Sequence, residues 1–278
     1  MDIKKITYPI QKELLSFENE LKKVVLSCDN FLLKDLEAFM FSSQKRLRPI
    51  FVIIFSKILQ IESPLVEKIA LVSELIHSAS LIHDDIIDEA QTRRNQAPLY
   101  KKYNSKLAVL EGDLLLSCAL LELSKTNQKI VEIFSCKIFK TIQGEIEQNS
   151  SLFKVQEVSK YLKKTFDKTG NLFLAGLESL FTLGDFESDI KNKLVKFIKN
   201  YSIAFQIKND IKDIDLDFEL GNYTLVMLYC LKDNIDKQKA LERAKIKMFE
   251  YKNEALESIK NLPYCSILED IVKITIGE

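Results

Sequence analysis

The chain has 278 residues, 46% of them hydrophobic, enough for one large core and at most two domains. Its 40 basic and 40 acidic side chains balance, so bulk charge selects neither nucleic acid nor an anionic membrane surface. With 7 glycines and 5 prolines it is too poor in turn formers for a turn-rich β architecture.

Pro9 to Ser27 alternates apolar and charged residues at helical spacing and predicts an amphipathic helix. Asp29 is placed to cap a shorter helix, Phe31 to Phe41. The basic stretch Lys45-Arg46-Leu47-Arg48-Pro49 precedes an apolar run from Ile50 to Leu59. Alone, it also fits an ordinary solvated basic loop ahead of a buried helix. Pro64 opens a long helix at a favoured early position.

That helix ends in Leu81-Ile82-His83-Asp84-Asp85-Ile86-Ile87-Asp88. Asp84 and Asp88 lie one turn apart on one face, with Asp85 beside them. Unpaired, these carboxylates repel; a hard divalent cation removes that cost, and Mg²⁺ takes one or two carboxylates together with phosphate oxygens. Arg93 and Arg94 follow, and guanidinium matches phosphate geometry. Carboxylates beside arginines point to a diphosphate site, although DDxxD alone fits an acidic, solvated helix end equally well. Steps of three and four back from Asp84 give Ser80, His77 and Ser73, a small or polar stripe suited to lining a cavity. Either histidine alone reads as a hydrogen-bonded structural residue; His77 shares that face and is the better functional candidate, while His83 does not and reads as structural.

Asn95 to Asn104 reads as a loop, and Leu107 to Leu123 and Val131 to Gln148 as helices carrying Glu111-Gly112-Asp113 and Gln143-Gly144-Glu145. Gln156 to Leu183 predicts two helical pieces, broken or kinked at Asp167-Lys168-Thr169-Gly170-Asn171. Ile190 to Asp213 is a long helix ending in a second acidic cluster, with Gln206, Asp210 and Asp213 on one face. Gly221-Asn222-Tyr223-Thr224-Leu225 turns into a further helix, and Asp236 to Lys260 and Ser266 to Ile276 close the chain. The expectation is one all-α domain over residues 1–278, with no internal repeat.

The five cysteines have no CxxC spacing and read as free, mostly buried thiols of a reducing compartment. The N-terminus leads into no apolar signal core, and no window is apolar enough to span a membrane. A cytoplasmic protein is expected.

In this order the segments resemble the all-trans isoprenyl diphosphate synthases, or polyprenyl synthetases, from about Lys45 to Thr224. Lys45-Arg46-Leu47-Arg48-Pro49 is similar to that family's GKRLRP element. Glu74 to Asp88 is similar to its first aspartate-rich helix, and Arg93-Arg94 stands where its RRG does. Gly112-Asp113, Gln143-Gly144-Glu145, Lys168-Thr169 and Phe205-Gln206 match further landmarks, and Asn209-Asp210-Ile211-Lys212-Asp213 occupies the second aspartate-rich position.

The resemblance implies a single-domain antiparallel helix bundle around a deep central cavity, usually a homodimer. It implies a Mg²⁺-dependent prenyltransferase that joins isopentenyl diphosphate to an allylic diphosphate. Asp84, Asp85 and Asp88, with Asp210 and Asp213, would hold metal. Lys45, Arg48, His77 and Arg94 would hold isopentenyl diphosphate. Arg93, Lys168, Thr169 and Gln206 would contact the allylic substrate. Asp84, Asp88, Lys168 and Gln206 are the expected catalytic residues. In the family, bulky aromatics four and five positions before the first aspartate give short products. Here those positions are Ser80 and Ala79, which implies a geranylgeranyl or longer product, with Phe139, or else Phe134, as the floor.

The chain departs from the pattern in four places. Asn209 replaces the aspartate that opens the second cluster, Asn95 the glycine after the two arginines, and Val226 a common proline. Only Ile214-Asp215-Leu216 separates Asp213 from Asp217, where the family has a longer loop with a lysine. Competing readings are a farnesyl-length synthase, an inactive partner subunit of a heteromeric synthase, and a class I terpene cyclase. A cyclase needs no second diphosphate site.

Overall fold

Helices make up the regular secondary structure among the described residues of the computed structural model, which are 3–28, 32–42, 44–94 and 96–277. In chain order they are α1 (Ile3–Ile6), α2 (Gln11–Leu26), α3 (Leu33–Phe41), α4 (Leu47–Ile58), α5 (Leu65–Ile87), α6 (Leu99–Lys102), α7 (Ser105–Ser124), α8 (Gln128–Ser150), α9 (Val158–Leu180), α10 (Ser188–Lys212), α11 (Ile214–Glu219), α12 (Leu225–Asp233), α13 (Lys237–Ile259) and α14 (Cys265–Ile276). The fold is all-α, as expected. The chain divides into two compact units, residues 7–132 and residues 133–278 with 1–6.

In the unit of residues 7–132, α4 is the innermost helix. Ile50 through Ser56 are all buried, so the helix is apolar on every face and belongs in a core. Each large side chain there contributes about 1.5–3 kcal/mol by leaving water. Pro49 lies in its first turn, where its missing N–H is not needed. Helix α5 packs on α4, α2 and α7. Helix α7 turns a stripe of Ala108, Gly112, Leu115, Ala119 and Leu123 inward. Gly112 lies under the His83 ring, where an added Cβ would sit 2.2 Å from Nε2. His83 Nε2 also approaches the Val109 carbonyl oxygen at 3.3 Å and Asp113 at 3.4 Å. Gly112-Asp113 and His83 therefore form a packing joint of α5 and α7.

In the other unit, α10 packs against α13, α9 and α14. Phe197, Tyr201 and Phe205 stack along α10 at 5.8 Å spacings, and Phe173 of α9 meets Tyr201 edge-on at 5.9 Å. Helices α8 and α9 come close at Gly144, whose added Cβ would lie 3.3 Å from the Lys168 backbone nitrogen.

Some expectations need correction. The loop expected over 95–104 contains the one-turn helix α6. The two pieces expected over 156–183 are one continuous α9. Gly170 does not break it, because the Phe166 ring folds back over that position, and Asn171 donates to the Asp167 carbonyl at 2.8 Å. The segment after Asp213 forms α11 directly. Of the cysteines, only Cys28 and Cys118 are buried; Cys136 is exposed. Asp29 and Phe31 lie outside the described residues, as do Ser43 and Asn95.

Candidate active site

In the first unit, Asp84 and Asp85 occupy the last turn of α5 and Asp88 is its C-cap, its N–H bonded to the Asp84 carbonyl at 2.8 Å. That end of a helix carries the partial negative charge of the macrodipole, and no basic residue lies in this last turn. Three carboxylates there repel one another and the helix end, a cost that nearby cations offset. Asp85 is buried and has one: Arg93 Nε donates to Oδ1 at 2.7 Å and a terminal nitrogen reaches the same oxygen at 2.5 Å. Asp88 is exposed and Asp84 half-buried. Arg93 itself is held by a tight turn, with reciprocal backbone bonds to Gln96 of 2.8 and 3.0 Å, and Arg94 stands at φ 53 in that turn. Arg94 donates to the Phe39 carbonyl at 3.3 Å and lies over the Phe39 ring.

His77 stands two turns before Asp84 on α5. Burial lowers its pKa well below the ordinary imidazole value, and Arg48, Arg94, Arg93 and Arg46 push in the same direction. The imidazole is thus neutral within a field of four guanidinium groups, an arrangement that favours a polyanion. Lys45 is exposed beside this group.

Within the basic stretch, the side chain between Lys45 and Leu47 turns inward. Arg46 is 8% exposed and stands at φ 52. It donates to Glu18 at 2.7 and 3.2 Å, to Glu74 at 2.8 Å and to the Met40 carbonyl at 2.7 Å. It thereby anchors the basic stretch to α2 and to α5, one turn before His77.

Ala79 is buried and Ser80 half-buried. The hydroxyls of Ser73 and Ser80 donate back to their own helix, to the Ile69 carbonyl at 2.7 Å and the His77 carbonyl at 2.9 Å. The polarity of the stripe is satisfied internally, so it does not by itself require a wet cavity.

In the second unit, Lys168 pairs with Glu145 at 2.8 Å, which the close approach at Gly144 allows. The Thr169 hydroxyl donates to Gln206 Oε1 at 3.1 Å, and Gln206 Nε2 donates to Asp210 Oδ1 at 2.7 Å. Tyr161, a residue that sequence reasoning missed, donates its hydroxyl to Asp210 Oδ2 at 2.5 Å. Its signal was its place on α9, two turns before Lys168. Burial raises the Asp210 carboxyl above the usual range, while Tyr161, Gln206, Lys168 and Lys164 pull it down. Burial, then the Asp210 charge, raises the Tyr161 phenol well above its ordinary value. Asp213 is exposed. Asp217 of α11 is pushed up to about 7, by burial first and then by Asp210 and Asp213. Lys164 is 4% exposed and feels Asp210.

Phe139 is 62% exposed, whereas Phe134 is fully buried. Among the described residues no three carboxylate, histidine or cysteine side chains form a ready metal cage. The hard carboxylate oxygens of Asp84 and Asp88 at the negative end of α5 are a suitable donor set for Mg²⁺.

Residues 30–262 match the polyprenyl synthetase family. A prenyl transferase of Porphyra purpurea is 33% identical over 81% of this chain and 74% of its own length. The decaprenyl-diphosphate synthase of Dictyostelium discoideum is 32% identical over 84% of this chain and 59% of its own. The crystal structure of heptaprenyl diphosphate synthase from Staphylococcus aureus superposes with a TM-score of 0.87 at 25% identity, covering 96% of this chain and 98% of that one. The chain therefore belongs to the polyprenyl synthetase family and is a prenyltransferase.

Proposed function

We propose that the chain condenses isopentenyl diphosphate with an allylic diphosphate, in a Mg²⁺-dependent reaction, to give a trans product of geranylgeranyl length or longer. The observation that carries this is the neutral His77 in its field of arginines, on the same helix as Asp84 and Asp88. A terpene cyclase handles one diphosphate and has no use for a second anion site beside its metal carboxylates. Relatives named as decaprenyl- and solanesyl-diphosphate synthases support the longer products.

Asp84 and Asp88 are the metal ligands in this reading, with Asp85, Asp210 and Asp213 contributing. Bound there, Mg²⁺ would neutralise charge on the allylic diphosphate as it leaves. Lys45, Arg48, His77 and Arg94 hold isopentenyl diphosphate through charge-assisted hydrogen bonds. Arg93, Lys168, Thr169 and Gln206 would contact the allylic substrate or its developing charge. The carbocation needs a dry, apolar surround so that water does not quench it. Small Ala79 and Ser80 leave room for a growing chain. Phe139 is the proposed floor, with Phe134 as the alternative.

The face of α8 with Phe139, Ile142 and Ile146 all exposed supports the homodimer. Among the described residues no helix is long and apolar enough to cross a membrane, and the free thiols support a cytoplasmic setting. The whole of 1–278 would work as one catalytic domain. An inactive partner subunit is the reading that Asn209 and the replacement of a loop by α11 favour. The test is a kinetic split. Arg48→Ala should raise KM for isopentenyl diphosphate about tenfold or more, with little change for the allylic substrate. Lys168→Ala should act on the allylic substrate and on turnover. If both variants perturb only the allylic substrate, the division of roles is wrong.

A further inference from the structure

Cys28 and Cys118 lie 90 residues apart in sequence, yet their sulfurs are 3.2 Å apart. Cys28 stands just past the end of α2, where its sulfur also lies 3.6 Å from the Val24 carbonyl oxygen. Cys118 projects from the middle of α7, one turn before Glu122, which pairs with Lys68 of α5 at 2.5 Å. Both thiols are buried, at 5% and 8% exposure. The diphosphate-binding residues do not include them, and packing alone does not require two sulfurs this close.

The two thiols are not equivalent. The hydrogen bond with Cys118, then burial, then the charges of Cys118 and Glu111 keep the Cys28 thiol protonated far above its ordinary range. The same hydrogen bond brings Cys118 down to about 7. Either thiol can donate across this contact, and the downward direction at Cys118 makes it the readier nucleophile of the two, since the thiolate is the form that attacks a disulfide.

We propose that Cys28 and Cys118 form a reversible disulfide, a redox modification site that staples the end of α2 to the middle of α7. The oxidant is a low-molecular-weight disulfide such as oxidised glutathione. The Cys118 thiolate attacks one of its sulfurs and releases one glutathione thiolate, which takes up a proton. Cys28 loses its proton, attacks the Cys118 sulfur of the mixed disulfide and releases the second glutathione. Two protein thiols and one glutathione disulfide become one protein disulfide and two glutathiones. Closing the pair to a bond of about 2.05 Å needs a shift of roughly 1.2 Å, within the reach of side-chain rotation.

The closed loop would enclose Lys45, Arg48, His77, Asp84, Asp88 and Arg93. A cross-link over a loop this long restricts the unfolded chain strongly, so it stabilises the unit that carries these residues without touching them.

The test uses the full chain with Cys136→Ser, Cys230→Ser and Cys265→Ser, which leaves only the pair. The folded protein is incubated with oxidised glutathione, alkylated and weighed intact. The expected product has lost the mass of two hydrogen atoms and regains it on reduction. Digestion yields one peptide pair joined through Cys28 and Cys118. The oxidised form melts several degrees higher, with turnover within about twofold of the reduced form. Adding Cys28→Ser should stop the reaction at a glutathione adduct on Cys118 and remove the gain in melting temperature; adding Cys118→Ala should block both steps. Only glutathione adducts on the intact pair, no reaction at all, or a cross-link that forms only in denaturant would overturn the proposal.

Discussion

The Tyr161 hydroxyl donates to Oδ2 of Asp210 at 2.5 Å while Gln206 donates to Oδ1, so both oxygens of one buried carboxylate are held by protein donors. Asp210 therefore has a fixed orientation, with lone pairs left over for a cation. Tyr161→Phe keeps the ring packing and removes one donor. Turnover should fall about tenfold, within the range for losing a partner of a metal ligand, with the Michaelis constant for isopentenyl diphosphate unchanged. The half-saturating Mg²⁺ concentration should rise. An unchanged Mg²⁺ titration would mean that Asp210 is a structural carboxylate.

Arg46→Ala tests the anchor of the basic stretch. It strands Glu74, which is 1% exposed, and a buried charge that loses its partner costs about 3–5 kcal/mol. The melting temperature should drop accordingly. Arg46→Lys keeps the charge and should recover part of that stability. Because Lys45 and Arg48 flank the anchor, its Michaelis constant for isopentenyl diphosphate should still exceed wild type severalfold. A wild-type constant for Arg46→Lys would reduce Arg46 to a stability role.

Much of this was legible in the sequence because the signals were local. Helical spacing gave α2, α5, α7, α10 and α13 nearly to their ends, and the small number of glycines and prolines gave the fold class. Asp84, Asp88 and His77 fell on one face by arithmetic alone. Tertiary partners were not legible. Nothing in the spacing said that Arg46 would be drawn inward by Glu18 and Glu74, or that Tyr161 would reach Asp210 across two helices. Gly170 looked like a helix break because its role is to accept the Phe166 ring. The missing loop after Asp213 was seen, but not that a helical turn would bring Asp217 into the acidic group.

His77 makes a pH prediction. Its pKa in the folded protein lies well below the usual value, while the unfolded chain takes up a proton below about 6.5. The unfolded state thus binds the extra proton, and stability falls as pH drops from about 7 towards 5. His77→Gln removes that dependence. Its melting temperature should gain on wild type at pH 5 relative to pH 8. Near neutral pH both side chains are uncharged donors, so the glutamine should keep the Michaelis constant for isopentenyl diphosphate within about threefold, where His77→Ala raises it about tenfold. Parallel melting curves across this range would show that folding leaves the His77 pKa where it is in the unfolded chain.

Product length follows from volume. Ala79 and Ser80 are small, and a packed interior has little spare room for an added ring. Ser80→Phe should shorten the main product by at least one five-carbon unit, read by mass after removal of the diphosphate. An unchanged distribution would place the channel elsewhere.

The most direct test is to incubate the purified chain alone with Mg²⁺, isopentenyl diphosphate and farnesyl diphosphate, and to weigh the products. The account predicts products of geranylgeranyl length or longer, lost on chelation of the metal and reduced at least about a hundredfold in rate by Asp84→Ala. No condensation by the wild-type chain alone, or full activity in Asp84→Ala, would contradict it.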